Sequence, residues 1–393
     1  MPDARALAAL RSLGETALRL GRDTTSSRLA LAHLHAVVDP AAVPADIRRP
    51  IVRELDAAAE AAAVPLAFKD VEKILKQAWG VKPTSELDDL EREPAAVTPA
   101  AQVHRGVLGG RPVAVKVIRP GIPEVVRSDL GLADALLRPL GAAFPRIDPA
   151  ALVAEARERI LDELDLEHEG STQRAFHRAL RHHPVLHVPA VHSALTHERV
   201  LVSDWVDGRP VLEATADERP AVARALVAFH VGGARFGTVH ADPHPGNALL
   251  LGDGRVAFLD FGAARRVDAG RTDGAVAALD ALAAGDAAAL GKALHGLGWL
   301  PADAGPEADR LARELLDGLL DGPARLDADA LLAIGERLEA HVQAVAMLAA
   351  RTTVPPADLW PLRMLGGLFA LCARLGVTED WTTLVRTATR DGW

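Results

Sequence analysis

The chain has 393 residues, of which 49% are hydrophobic and 25% charged, and its formal net charge at pH 7 is −9. This composition is typical of a globular protein with two or three domains, and it argues against a globally basic nucleic-acid-binding protein. The single cysteine, Cys372, excludes an intramolecular disulfide and a metal site of several cysteines, and it favours a reducing, cytoplasmic location.

No segment is predicted to cross a membrane. Residues 1–23 form an amphipathic pattern with charges throughout, unlike a secretory signal peptide. The most apolar stretch, LWPLRMLGGLFALCARLGV, contains Arg363 and Arg374, and the uncharged run between them is shorter than the roughly 18–20 residues that a membrane helix needs. We therefore expect a cytoplasmic protein, with peripheral contact at the inner face of a membrane left open.

The first part of the chain, residues 1–93, is predicted to be a helical extension, because segments such as FKDVEKILKQAWG place apolar residues at helical spacing. Near residue 94 the pattern changes. The stretch AAQVHRGVLGGRPVAVKVIRPG contains two β-type runs on either side of Gly109 and Gly110, which predicts a hairpin. Lys116 lies in the second of these runs.

A long helix is predicted next, in IDPAALVAEARERILDELDLEHE, with Asp148 as its N-cap. It offers three carboxylates to a basic partner, Glu163, Asp165 and Glu169. Asp165 and Glu169 are expected to be i,i+4 neighbours on one face, whereas Glu163 points elsewhere. The segment RVLVSDWVDGRPV then predicts a strand that leads into a turn at residues 207–208.

From about residue 212 the pattern is mostly helical, except in HADPHPGNALLLGDGRVAFLDFG at residues 240–262. The runs NALLL and RVAFLD flank the turn sequence GDG and predict a second hairpin with adjacent ends. These ends carry Asp242 and Asn247 in D-x-x-x-x-N spacing and Asp260 in DFG. Since Mg²⁺ prefers oxygen ligands, the hairpin predicts a metal and phosphate site.

Lys116 is unusual for this sequence. Only six of the 44 basic residues are lysines, and it is the only lysine between Pro83 and Gly291. A solitary strand lysine beside a DFG hairpin indicates that a compact ammonium is needed there. The alternative interpretation is an edge-strand lysine whose stem packs against the sheet.

Other chemistry is less well supported. His240, Asp242 and His244 could be drawn as a zinc site, but no third strong ligand has motif spacing. His240 is better interpreted as a residue that braces the loop backbone. The sequence also lacks a Walker A motif and a G-x-G-x-x-G loop, which P-loop and Rossmann proteins need.

The order of elements predicts an α+β, bilobed protein-kinase-like fold. It divides into the helical extension 1–93, a small β-rich N-lobe at 94–206 and a mostly helical C-lobe at 207–393. The blocks QVHRG, VAVKV, ELDLEHE, VLVSDWVDG, HADPHPGN and DFG, in this order, resemble the UbiB/AarF family of atypical protein-kinase-like ATPases, which includes the ADCK proteins. The resemblance covers roughly residues 10–300.

The resemblance implies ATP and Mg²⁺ as cofactors and assigns roles at the matched positions. Lys116 would contact the α- and β-phosphates, with Glu169 as its helix partner. Asp242 would be the catalytic-loop aspartate, and Asn247 and Asp260 would bind Mg²⁺. The resemblance also assigns an Ala-rich nucleotide loop, at Ala95, Ala96, Val97 and Thr98, and a hinge for adenine at residues 203–206, with Asp204 and Val206 as the binding residues.

Two family elements would regulate the site. Glu163 and Asp165 form the family's E-x-D element, and its K-x-G-Q element is represented here by Arg19-Leu20-Gly21-Arg22. Arg19 keeps a charge that could pair with Glu163, whereas Arg22 replaces an amide with a cation. In the Ala-rich loop, Pro99 removes a backbone N–H. The altered K-x-G-Q element and the proline at position 99 are two departures from the family pattern. Both are expected to affect nucleotide preference and turnover more than the fold.

The expected function is therefore that of a Mg²⁺-dependent ATP-binding kinase or ATPase. The resemblance implies lipid or prenyl-quinone pathway partners, and no nucleic-acid partner is expected. Two alternatives remain: a small-molecule phosphotransferase of the aminoglycoside- or choline-kinase type, which has a similar H-x-D-x-x-x-x-N loop, and a catalytically weak ATP-sensing scaffold.

Overall fold

The computed structural model describes residues 64–98, 100–120 and 164–393, which form a mixed α+β structure. The first sheet has five strands, β1 to β4 and β6, in the order β1-β3-β4-β6 with β2 on the other part of β3. Their bounds are Asp89–Leu90 (β1), Ala96–Val97 (β2), Ala101–Leu108 (β3), Arg111–Ile118 (β4) and Val200–Asp204 (β6). β1 belongs to this sheet although it precedes the boundary predicted at residue 94.

The predicted hairpin at residues 101–118 is confirmed. Strands β3 and β4 pair from Ala101 with Ile118 to Leu108 with Arg111. Gly109 and Gly110 both have positive φ, 56° and 74°. Two left-handed residues in a two-residue loop match the twist of the flanking strands, which explains why glycine occupies both positions.

Helix α1, Phe68–Trp79, covers one face of this sheet. Its buried residues Val71, Ile74 and Leu75 lie in one apolar cluster with alternate residues of β4, namely Val113, Val115 and Val117. The alternation leaves Lys116 on the opposite face of β4, towards the rest of the molecule. The helical pattern predicted for this segment is therefore confirmed.

Helix α2, Leu166–Leu180, differs from the prediction. Asp165 is its N-cap, with Oδ1 accepting the backbone N–H of Glu167 and His168 at 3.0 and 3.1 Å. The expectation that Asp165 and Glu169 share a face within one helix is therefore wrong, because Asp165 has extended backbone geometry. An aspartate that satisfies two free N–H groups starts a helix and does not continue one.

Glycine lets α2 approach β6 closely. A Cβ at Gly170 would lie 2.9 Å from Cγ2 of Thr196 and 3.0 Å from Cδ1 of Leu201. These separations are shorter than van der Waals contact, so a side chain would push the helix away from the sheet. Since Glu169 precedes Gly170, the close approach sets how far Glu169 can reach towards β4.

A second sheet has the order β5-β10-β9-β7. The strands are Leu186–His187 (β5), Gly208–Pro210 (β7), Ala248–Leu251 (β9) and Val256–Phe258 (β10). β9 and β10 are antiparallel, with Phe258 opposite Ala248, so the second predicted hairpin is confirmed. A two-stranded sheet pairs β8, Thr238–His240, with β11, Ala264–Arg266. In the chain, β8 precedes the β9–β10 hairpin and β11 follows it.

The remaining described residues are mostly helical, as predicted. The helices are Arg219–Gly232 (α3), Ala269–Ala284 (α4), Ala287–Gly296 (α5), Gly305–Leu315 (α6), Ala328–Ala340 (α7), Val342–Ala349 (α8), Leu359–Leu375 (α9) and Trp381–Asp391 (α10). Two short strands, Ala324–Leu326 (β12) and Val377–Glu379 (β13), pair with each other and were not predicted. The largest apolar core joins α2, α3, the second sheet, α9 and α10.

Among residues 64–98, 100–120 and 164–393, no helix combines the length and apolar character that a membrane crossing requires.

Candidate active site

Lys116 lies between two carboxylates. Its Nζ is 3.0 and 2.9 Å from Oε1 and Oε2 of Glu169 and 3.1 Å from Oδ2 of Asp260. The Lys116 and Glu169 side chains are 15% and 1% exposed, whereas Asp260 is 41% exposed. The three groups come from β4, α2 and the end of the second hairpin, so the tertiary fold brings together residues that are distant in the chain.

The charges of this group are strongly coupled. Burial raises the pKa of Glu169 to about 7, since the attraction of Lys116 only partly offsets the loss of solvation. Burial also disfavours the charged form of Lys116, but the attraction of Asp260 and Glu169 outweighs it and raises the lysine pKa. The pKa of Asp260 is lowered, because Lys116 outweighs burial there. One ammonium thus serves two carboxylates.

The backbone at Asp260 has an unusual conformation. Its φ is 60°, and it is the one non-glycine residue with positive φ in the described residues. His240 Nε2 hydrogen-bonds to the Asp260 carbonyl oxygen at 2.6 Å, which confirms the brace predicted for His240. The N–H of Phe261 donates to Glu169 Oε1 at 3.3 Å. These bonds fix a left-handed turn that projects the carboxylate out of the hairpin.

Phe261 anchors the turn in the core. Its side chain is 1% exposed, and its ring lies 5.1 Å, centroid to centroid, from both Phe176 and His240. His230 supports His240 in turn, through an Nδ1 contact of 2.8 Å with the His240 carbonyl oxygen. Burial next to His240 lowers the pKa of His230 to about 3, so His230 is neutral and donates this hydrogen bond.

Asp242 and Asn247 are bonded to each other. Asn247 Nδ2 donates to Asp242 Oδ2 at 2.9 Å, and this use of the amide nitrogen leaves the Asn247 side-chain oxygen as an acceptor. The Leu259 N–H donates to the Asn247 carbonyl oxygen at 2.9 Å, so Asn247 lies beside the residue that precedes Asp260. The Asp260 carboxylate and the Asn247 amide oxygen are the kinds of ligand that suit Mg²⁺, with phosphate and water as its further ligands.

Within the described residues, no group of three or more His, Cys, Asp or Glu side chains is arranged to hold a metal ion. His240 uses Nε2 for the Asp260 carbonyl, and His244 Nδ1 accepts the Gly246 N–H at 3.1 Å. These bonds engage both histidines of the alternative zinc site in local backbone contacts.

The Ala-rich loop lies two strands from Lys116. Ala96 pairs with Val103, and Val103 pairs with Lys116, so the three residues are in register across β2, β3 and β4. Ala95 donates its N–H to the Val103 carbonyl, and Val97 pairs with Gln102. Thr98 closes the turn, its Oγ1 accepting the Ala101 N–H at 2.9 Å.

The segment predicted to contact adenine follows β6. Asp204 pairs with Val113, and its side chain contacts His192 Nε2 at 2.9 Å. The N–H groups of Asp204 and Trp205 donate to the carbonyls of Ala190 and Pro112. Val206 follows directly. These two N–H groups are thus used within the protein, at the edge of the Lys116 sheet.

Arg19, Arg22, Pro99 and Glu163 lie outside the described residues, as does Asp148, the N-cap predicted for the long helix. Asp165 is described and lies at the N-terminus of the helix that carries Glu169. The predicted residues Lys116, Glu169, Asp242, Asn247 and Asp260 are all described, as are those of the Ala-rich loop and the hinge.

Sequence reasoning missed one charged neighbour. Arg363 of α9 lies with Nη2 3.3 Å from Asp242 Oδ1, at a chain separation of 121 residues. In the sequence Arg363 served only to interrupt an apolar run. A helical arginine far from every motif carries no local signal for such a contact.

Comparison with known proteins identifies the kind of domain in this chain. Residues 58–294 match the model of the ABC1 atypical kinase-like domain. The chain is 32% identical over 213 residues to the probable protein kinase UbiB of Marinobacter nauticus, covering 50% of this chain and 39% of that protein. It is 31% identical over 190 residues to AarF domain-containing protein kinase 1 of Xenopus tropicalis, covering 47% and 36% respectively. It therefore spans well under two thirds of these curated relatives.

A solved structure extends the likeness in fold. The structure of Rv3197 with erythromycin, from Mycobacterium tuberculosis, superposes with a TM-score of 0.68 at 24% identity, covering 93% of this chain and 90% of that one. At this identity the similarity is one of fold. Taken with the matched domain, which occupies more than half of the sequence, it leads to one conclusion: the chain belongs to the ABC1/AarF atypical kinase-like family.

Proposed function

We propose that this protein is a Mg²⁺-dependent ATP-binding kinase or ATPase with a bilobed kinase-like architecture. The observation that carries the proposal is the bridging of Glu169 and Asp260 by the ammonium of Lys116. A buried lysine held by a helix carboxylate next to a second, exposed carboxylate is suited to phosphates on one side and a cation on the other.

In this proposal each described residue has one role. Glu169 holds Lys116 in place, so that the ammonium contacts the α- and β-phosphates. The Asp260 carboxylate and the Asn247 amide oxygen would hold Mg²⁺, which would neutralise charge on the phosphates. Asp242 orients the acceptor hydroxyl or water and receives its proton.

The nucleotide would lie between the first sheet and the second hairpin. Residues 95–98 would cover the phosphates, and the backbone at residues 204–206 would contact adenine. Arg19, Arg22, Glu163 and Asp165 are proposed to regulate access to this site. The proposed division is a helical extension at 1–93, an N-lobe at 94–206 and a C-lobe at 207–393, with the extension also contributing strand β1 to the N-lobe sheet.

We further propose that ATP turnover supports isoprenoid-quinone or other prenyl-lipid metabolism in the cytoplasm, with peripheral membrane contact. The family membership supports this, as does a relative that bears the UbiB name. A lipid requirement predicts that anionic liposomes increase the rate of ATP hydrolysis above that of the protein alone.

The test measures thermal stabilisation by Mg-ATP and ATP hydrolysis, with and without liposomes. Lys116→Ala and Asp260→Asn should each abolish the stabilisation and the hydrolysis while leaving a folded protein by circular dichroism. Lys292→Ala and Asp329→Asn are matched controls at exposed helical positions and should behave as wild type. Wild-type nucleotide affinity in both Lys116→Ala and Asp260→Asn would refute the proposal.

A further inference from the structure

Helix α9 packs directly on the loop that contains Asp242. A Cβ at Gly367 would lie 2.9 Å from Cγ of Pro243, so only glycine lets the helix and the loop approach this closely. This helix, Leu359–Leu375, lies beyond the residues matched by the family model, which end at 294. A part of the chain outside that match therefore lies directly against the Asp242 loop.

Arg363 extends from α9 to the catalytic loop. Its Nη2 is 3.3 Å from Asp242 Oδ1, and its Nη1 is 3.5 Å from the Ala241 carbonyl oxygen. Both distances are at the long end of hydrogen bonding. The Arg363 side chain is 39% exposed and that of Asp242 is 26% exposed, so the pair can be reached from solvent.

An aromatic side chain holds Arg363 in this position. The Arg363 Cζ lies 5.1 Å from the ring centroid of Trp360, and the Arg265 Cζ lies 5.2 Å from the same ring. Arg265 in turn donates to the carbonyls of Gly262 and Ala264, at 3.0 and 2.7 Å. Stacking on Trp360 fixes the guanidinium without a bidentate ion pair, and it leaves N–H donors available to a ligand.

The loop that contains Asp242 supplies no cation of its own. The loop sequence DPHPGN at residues 242–247 contains no lysine or arginine. Lys116 is already engaged by two carboxylates. In phosphoryl transfer, negative charge is spread over the oxygens of the transferred group, and a cation placed close to them is a large source of catalysis.

We propose that Arg363 is a catalytic residue that contacts the phosphoryl group during its transfer, a cation supplied in cis by helix α9; this rests on the proposed function. The acceptor O–H gives its proton to Asp242 as its oxygen bonds to the γ-phosphorus. The bond between the γ-phosphorus and the β,γ-bridging oxygen breaks, and its electron pair leaves with ADP. Arg363 donates to an oxygen of the group in flight.

The test compares Arg363→Gln and Arg363→Lys with wild type. Arg374→Gln is the matched control, since Arg374 is an exposed arginine on the same helix. Arg363→Gln should lower the kcat of ATP turnover roughly 10²–10³-fold, with little change in the Kd for Mg-ATP. Arg363→Lys should recover part of the loss, and Arg374→Gln should match wild type. An unchanged or increased kcat in Arg363→Gln would overturn the proposal.

A second measurement needs no turnover. Mg-ADP with aluminium fluoride imitates the phosphoryl group in transfer, and it should raise the melting temperature of the wild type beyond the effect of Mg-ADP alone. Arg363→Gln should keep the Mg-ADP shift and lose the additional one. If the additional shift is equal in wild type and Arg363→Gln, the role of Arg363 is refuted and the proposed function is not. If Mg-ADP causes no shift in wild type, the proposed function is refuted as well.

Trp360→Phe and Trp360→Leu test how the cation is held. Phenylalanine keeps an aromatic face and should retain most of the turnover, while leucine should reduce kcat without changing the Kd for Mg-ATP. If both variants are folded and equally active, stacking on Trp360 does not position Arg363.

Discussion

Nζ of Lys116 lies 3.1 Å from Oδ2 of Asp260, so the cation proposed for the phosphates touches the carboxylate proposed for the metal. On its other side the same ammonium is 2.9 Å from the almost fully buried Glu169. Replacing either partner of a buried pair leaves an uncompensated charge, which costs more than the pair itself contributes.

This arrangement predicts that substitutions at Lys116 and Glu169 have strongly coupled effects on the free energy of unfolding. Lys116→Met should lower the free energy of unfolding by about 3 kcal/mol, because Glu169 and Asp260 then face each other without a cation. Glu169→Gln alone should cost less, since Asp260 still accompanies the lysine. The double variant should be more stable than the sum of the two losses implies, as measured by urea denaturation. Strictly additive losses would contradict the coupling.

The close approach at Gly170 gives a second prediction. Gly170→Ala should destabilise the protein by about 1–3 kcal/mol, because the new Cβ would lie within 3.0 Å of side chains from two elements. It should also weaken Mg-ATP binding, since α2 carries Glu169. Gly335→Ala is the control: Gly335 lies in α7 with nothing within 4 Å of the added Cβ. That change should be neutral or stabilise by up to about 1 kcal/mol.

Adjacent glycines of α9 provide a third prediction. A Cβ at Gly367 would meet Pro243, whereas one at Gly366 would meet nothing within 4 Å. Gly367→Ala should displace the Asp242 loop and lower the kcat of ATP turnover about tenfold or more, because a displacement of an ångström can be that costly. Gly366→Ala should keep the wild-type kcat. Equal rates in the two variants would show that the contact with Pro243 is not needed for turnover.

Stability should fall in acid because of His230. Burial lowers its pKa to about 3, so the folded state disfavours the charged form. Its contribution is complete above the unfolded pKa of about 6.5 and is lost as the pH falls towards the folded value, by about 1.4 kcal/mol per pH unit. His230→Gln should reduce the slope of the unfolding free energy between pH 6.5 and 4.

His182→Gln removes a histidine at an exposed position and is measured alongside as the matched substitution. Some dependence should persist in His230→Gln, because burial also lowers the pKa of His240. Parallel pH curves for wild type and His230→Gln, measured by urea denaturation, would contradict the assignment.

Local features of the fold could be predicted from the sequence. Gly109 and Gly110 specify their turn through positive φ, and the GDG sequence specifies the second one, so both hairpins were predicted. The start of α2 was not, because an acidic run resembles a helix interior as much as a capped terminus, and Asp165 serves as the cap. Strands β12 and β13 have three residues each and pair across a long separation, so no local pattern predicts them.

Some residues of the candidate site could likewise be predicted from the sequence, and others could not. Lys116, Asp242, Asn247 and Asp260 lie in motifs with recognisable spacing, so the sequence alone was enough to single them out. Arg363 and Trp360 lie on an ordinary amphipathic helix, and only folding brings them to Asp242. Functional residues that lie in a motif of fixed spacing can be found from the sequence. Residues that reach the site only through tertiary packing can be found only from the structure.

Gly367, against Pro243, lies more than seventy residues after the last position matched by the family model, at 294. A recombinant fragment trimmed to that match would leave the Asp242 loop without its support. Random mutagenesis of the entire chain should therefore find loss-of-function substitutions clustered in two separate stretches, the motif-bearing one and a distant tail whose sequence alone gives no warning of its importance.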